Sequence, residues 1–124
     1  MPFPSQVKLP DLVSLCPYSW KTNPLLEEAE KQSMDWVFSY SDLNDDVHTS
    51  LIRTRGPLLA GHTYTNASFD TLRTCCDFMN LIFVIDDVCD AHDIAGVRAT
   101  RDAFVDALNG TYDENSMVSR CTRE

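Results

Sequence analysis

Along the middle of the chain, apolar residues recur at the spacing of one side of a helix. From Phe69 the row reads Phe69, Leu72, Cys76, Met79, Phe83, Asp86, Asp90, in alternating steps of 3 and 4 residues. It is apolar as far as Phe83 and acidic afterwards. Asn66-Ala67-Ser68 offers caps for this helix, and Asp70 falls in its first turn. Upstream, Asn23-Pro24 opens an earlier helix, with Asn as cap and Pro at the first helical position. Glu27, Glu28 and Glu30 follow near its positive end, and Leu26, Met34, Trp36 and Val37 carry it to about Tyr40. Ser41-Asp42 starts a shorter helical stretch toward Arg53, which Gly56-Pro57 breaks. Residues 57–66 hold another short helix ending near Gly61 or His62. A further helix runs from Asp93 to Leu108 and stops at Asn109-Gly110.

The two ends carry weaker patterns. Residues 1–22 contain Pro2, Pro4, Pro10 and Pro17 and no helical period, so an extended N-terminal arm is expected there. Residues 111–124 show only Met117 and Val118 as apolar anchors and no closing element. Between Phe78 and Ile85 the central helix is apolar on nearly every face, which suits the interior of a larger body. The expectation is an all-α fold, with residues 23–124 forming an incomplete helical domain. Only four glycines in 124 residues agree with helices rather than many short strands.

Charge narrows the partners. The net charge is −9, from 19 acids against 10 bases, and no stretch concentrates Lys and Arg. Nucleic acid and an anionic membrane surface are therefore not expected partners. A phosphorylated ligand would need cations between its phosphates and the protein's carboxylates. Cysteines at 16, 75, 76, 89 and 121 match neither a zinc-site nor a disulfide spacing, so reduced thiols are expected, with Cys75 and Cys76 as packing residues. The first residues lack a basic segment followed by a continuous apolar one, and no apolar run is long enough for stable membrane insertion. A cytoplasmic protein is expected; the oligomeric state is left open.

The candidate chemistry lies in Asp86-Asp87-Val88-Cys89-Asp90. Asp86 and Asp90 are one turn apart, so their side chains leave the same face about 6 Å apart. They repel each other and oppose the helix dipole, and a hard divalent cation reverses both penalties. Mg²⁺ takes one or two carboxylates and completes its shell with water and phosphate oxygens. A diphosphate held at this acidic mouth would lay its hydrocarbon tail along Phe83, Met79 and Leu72, with the Phe83 ring available to a carbocation. A lone DxxxD is usually a solvated helix end. Here an apolar run from Leu81 to Ile85 leads straight into Asp86-Asp87, and charges in such a setting are commonly paired or ligating.

Residues 58–64 (Leu-Leu-Ala-Gly-His-Thr-Tyr), Leu72 to Phe83, and the aspartate motif at 86–90 together resemble fungal sesquiterpene synthases of the mushroom type. The likeness is strongest to those making protoilludene-like skeletons. Leu9-Pro10-Asp11-Leu12 also fits, and the resemblance covers most of residues 5–110. It implies the N-terminal part of a class I terpenoid synthase bundle, built around a hydrophobic cavity. It implies Mg²⁺ on Asp86 and Asp90 and a supporting polar role for Asp87, so that Asp86 and Asp87 are the catalytic candidates. Phe83, Met79 and Tyr64 are the candidate cavity residues. Farnesyl diphosphate or a similar prenyl diphosphate is the implied substrate, ionised with loss of diphosphate and then cyclised. The family's second metal motif, its diphosphate-sensing Arg and its late Arg-Tyr pair fall beyond residue 124, so this chain is expected to be a truncated piece, inactive alone.

Other readings meet specific obstacles. Chain-elongating prenyltransferases share DDxxD but carry Arg-Arg shortly after it, where Ala95-Gly96 stand here. Asp42-x-Asn44-x-Asp46 begins like a calcium loop, yet Val47 occupies the glycine position and Arg53 that of the bidentate glutamate. A non-catalytic, truncated helical protein remains the alternative of a different class.

Overall fold

The computed structural model describes residues 6–40 and 43–123. Those residues form seven helices and no strand. They are α1 (Leu12–Leu15), α2 (Leu26–Phe38), α3 (Asp45–Thr54), α4 (Gly56–Thr63), α5 (Phe69–Asp90), α6 (Ile94–Leu108) and α7 (Met117–Arg123). The all-α expectation is met.

Local signals set most boundaries. Ser68 caps α5 by accepting from the Thr71 amide, and Asp93 caps α6 by accepting from the Gly96 amide at 2.9 Å. Past Asn109, Gly110 takes φ +84°, the left-handed turn that stops α6. Asn44 caps α3 through the Val47 amide; the expected start at Ser41-Asp42 lies outside the described residues. Arg55 is the junction of α3 and α4, held at φ 51° while its guanidinium reaches the Glu30 carboxylate at 3.1 Å.

Two elements differ from the sequence expectation. α2 starts at Leu26, not at Pro24, because the chain first makes a turn over Pro24-Leu25, closed by Asn23. Its Oδ1 accepts from the Leu25 amide, while its Nδ2 donates to the carbonyls of Tyr64 and Ala67, tying the start of α2 to the α4–α5 loop. The tail does carry a closing element: α7 buries Val118, Ser119 and Cys121 and packs chiefly on α6, with further contact to α5.

α5 is the central rod. One core joins Leu26 and Ala29 of α2, Ala60 of α4, and Leu72 and Cys76 of α5. A second joins Val37, Leu43, Leu51 and Val84. Because early α2 meets early α5 and late α2 meets late α5, the two helices run in the same direction. α4 runs back against them, with the Pro57 carbonyl at Cys76 and Gly56 against Met79 and Phe83. Burial pushes the Cys76 thiol up to about 11, which leaves it inert, as a packing cysteine should be. The arm from residue 6 to 22 is exposed throughout, its only regular piece being α1. Among the described residues, no helix is long and apolar enough to cross a membrane.

Candidate functional site

The acidic end of α5 divides into two surroundings. Asp86 and Asp90 are exposed on one side of the last turns, and no ion pair engages either of them among the described residues. α5 has no basic residue in its last turn and ends at Ala91 without a compensating charge there. Asp87, one step round the helix, is partly buried and points elsewhere. It lines an open cleft of about 500 Å³ with Asn44, Asp46, Ser50, Val88, Ala91 and His92. Its Oδ2 is buried and finds no hydrogen-bond partner among the described residues.

Phe83 and Met79 precede Asp86 on its own side of α5. Both are partly buried, and α4 begins against them: a Cβ at Gly56 would come within 2.9 Å of the Phe83 ring and 3.4 Å of the Met79 Cβ. Only glycine lets the α4 backbone approach this closely. The apolar row and the exposed carboxylate pair are thus continuous along one helix side. The structure does not bring Tyr64 to them. It follows α4, is 47% exposed, and precedes the start of α5, about 25 Å along the helix axis from Asp86.

The donor set suits a hard divalent cation. Two carboxylates on one face, unpaired and open to solvent, supply what Mg²⁺ takes from a protein when phosphate and water complete its shell. They are too few for a closed cage, and no group of three or more His, Cys, Asp or Glu that could hold a metal occurs among the described residues. His62 is engaged at the far end of α4, and His92 follows Asp90 by two residues and lines the Asp87 cleft. His62 meets Thr22, the Lys21 carbonyl and the Trp20 ring edge, and His92 lies on the α5–α6 loop.

Sequence reasoning missed a second row on α5. Arg73 and Asp77 form an ion pair, Arg73 Nη2 donates to the Gln32 carbonyl at 2.9 Å, and Asn80 Nδ2 donates to Ser33 Oγ at 2.8 Å. Asn80 and Ser33 are fully buried. Burial is the main cause holding the Asp77 carboxyl above the usual range, opposed by a hydrogen bond from Ser33 and by Arg73. The signal was present as polar residues at steps of 4 and 3 inside an apolar helix.

Among the described residues, then, the longest helix leads from an apolar row into two exposed carboxylates within an all-helical arrangement. No family model matches the chain. It is 38% identical over 122 residues to the bifunctional terpene synthase Agr4 of Cyclocybe aegerita, covering 98% of this chain and 36% of that protein. It is 37% identical over 124 residues to a Coprinopsis cinerea protein named linoleate 10R-lipoxygenase COP4, covering 99% and 36%. Against Delta(6)-protoilludene synthase 8 of Postia placenta the identity is 34% over 105 residues, covering 85% and 31%. The chain is a relative of the fungal sesquiterpene synthases, protoilludene synthases included. It spans about a third of the length of the curated relatives it matches.

Proposed function

We propose that this chain is part of a Mg²⁺-dependent sesquiterpene cyclase that ionises farnesyl diphosphate, or a similar prenyl diphosphate, and cyclises the resulting cation. The observation that carries the reading is the continuity of Met79 and Phe83 with the exposed, unpaired Asp86 and Asp90 on one side of α5. Residues 1–22 act as an arm, and residues 23–124 contribute the metal-binding helix and its immediate packing to a larger helical domain. A cytoplasmic location accords with an acidic chain bearing five free cysteines among its described residues.

Asp86 and Asp90 would hold the cation, which when bound supplies Lewis-acid withdrawal of the diphosphate leaving group. Phe83 lies next along the row and presents an apolar face, and its ring offers negative quadrupole density to a cationic carbon. Met79 extends that wall with a polarizable side chain. Together they keep water from the hydrocarbon, which would otherwise be hydroxylated instead of cyclised. Asp87, directed into the cleft against α3, supports from behind and does not share the metal. Tyr64 stands too far along α5 to line the same stretch of wall.

The relative named as a lipoxygenase makes a competing chemistry explicit, and one experiment separates them. A chain of the relatives' length containing these residues is incubated with farnesyl diphosphate and Mg²⁺, and with linoleate and oxygen, and products are identified by gas chromatography and mass spectrometry. Cyclic hydrocarbon from the diphosphate, lost on Asp86→Ala, supports the reading. Linoleate oxidation that survives Asp86→Ala, without terpene release, refutes it. The 124-residue chain alone is expected to release no terpene.

A further inference from the structure

The row Arg73, Asp77, Asn80 has a cost that packing alone would avoid. Asn80 is fully buried, and while its Nδ2 bonds Ser33, its Oδ1 finds no hydrogen-bond partner among the described residues. An unpaired buried amide oxygen is destabilising, and an apolar side chain of similar volume would not incur that cost. Arg73 Nε and Asp77 Oδ1 are likewise buried and unmatched. Such groups stabilise poorly and discriminate well, because only one relative setting of two helices satisfies the bonds they do make.

That setting bears on the carboxylates. Both ends of the row bond the same turn of α2, Gln32 and Ser33, so α5 is pinned in rotation and in height. Counting about 100° per residue from Asn80, Asp86 and Asp90 both fall roughly 100° round the helix, beside Met79, whereas Asp87 falls within about 20° of Asn80. Apolar contacts such as Val37 with Val84 tolerate small rotations, and a hydrogen bond between two short side chains does not.

We infer that the Ser33–Asn80 bridge, braced by Arg73 and Asp77, is a positioning device that sets the rotation of α5 and so presents Asp86 and Asp90 together to one cation. Ser33 and Asn80 are positioning residues; neither touches metal or substrate. The inference rests on the reading of Asp86 and Asp90 as the metal-holding pair.

The test uses the 124-residue chain and Mn²⁺ as the probe, with bound metal followed by electron paramagnetic resonance and stability by thermal unfolding. Asp86→Asn/Asp90→Asn is the site control. In Ser33→Ala/Asn80→Leu the bridge is replaced by apolar groups, and although the exchange also removes the Ser33 hydrogen bond to Asp77, the unfolding midpoint is expected to fall by no more than about 5 °C from the parent. Affinity for Mn²⁺ is expected to fall about tenfold, the loss typical when a group orienting a ligand is removed. The reciprocal exchange Ser33→Asn/Asn80→Ser, which rebuilds the bond, is expected to restore it. Parental affinity in the apolar variant, with binding abolished in the site control, overturns the positioning role and leaves the site reading intact. A midpoint and an affinity that fall together, without recovery in the exchange, reduce the bridge to a structural one and also overturn it. Absence of Mn²⁺ binding, or binding untouched by the site control, removes the metal pair and the device with it.

Discussion

Replacing Asp90 by Asn should make the metal-free chain more stable, and the size of the effect follows from the end of α5. Asp86 and Asp90 face the same way one turn apart, and neither has an ion-pair partner among the described residues. Relief of a like-charge pair at this spacing is worth about 0.2–0.5 kcal/mol. Removing a negative charge from the negative end of a helix dipole adds about 0.3–1 kcal/mol, and no basic residue in that turn offsets it at present. The total is about 1 kcal/mol, a rise in melting temperature of about 4 °C for a chain of this size. Because both groups are exposed, the gain should shrink as salt is added. With Mg²⁺ the order should reverse. A cation at tenfold its dissociation constant stabilises the parent by about 1.4 kcal/mol, and the variant lacks half the ligands. Circular dichroism melts of parent and Asp90→Asn, in low salt with and without MgCl₂, measure all four values. A lower melting temperature for the metal-free variant would show that Asp90 has a stabilising partner, contrary to the geometry. Equal stabilisation of both chains by Mg²⁺ would place the cation elsewhere.

Gly61→Ala should destabilise the chain by about 1–2 kcal/mol despite the better helix propensity of Ala. The new methyl would meet the buried Leu26 side chain at 2.6–3.0 Å, where α2 and α4 cross, and chemical denaturation would register the loss; an unchanged midpoint would mean that Leu26 has room to move. Asp77 gives a pH signature of a defined sign. Its folded-state pKa lies above the ordinary 3.8, chiefly through burial, so the folded chain holds this proton more tightly than the unfolded one. Its ionisation therefore costs stability, and the cost lifts as pH falls toward and through that raised value. The melting temperature of the parent relative to Asp77→Asn should rise as pH is lowered from 7 toward and through that raised value, and a falling difference would contradict the assignment.

What the sequence made legible was local. Ser68, Asp93 and Asn109-Gly110 are short-range signals, and the helices they delimit lie where those signals put them. The seven residues of α7 are too few to show a period, and their burial comes from α6 and α5. Asn23 reads as a simple cap because nothing nearby reveals that its amide will clasp carbonyls 41 and 44 residues away. Tyr64 sits in a stretch resembling known synthases, but its distance from Asp86 depends on the full 22-residue length of α5. The carboxylate motif reads as one cluster in the chain. In space it is a solvent-facing pair and a separate aspartate lodged against α3, because adjacent helical residues point about 100° apart.

The stretch from Asn80 to Asp86 is consequently a ruler as well as a helix. One extra residue inserted there would leave the α2 anchor unmoved and carry Asp86 into the cleft now occupied by Asp87, with Ile85 delivered to the solvent face. One residue deleted would turn the tip the opposite way. Side chains in this interval can change within the limits of packing, but their number cannot, so length variation among kindred chains should be confined to the connecting loops.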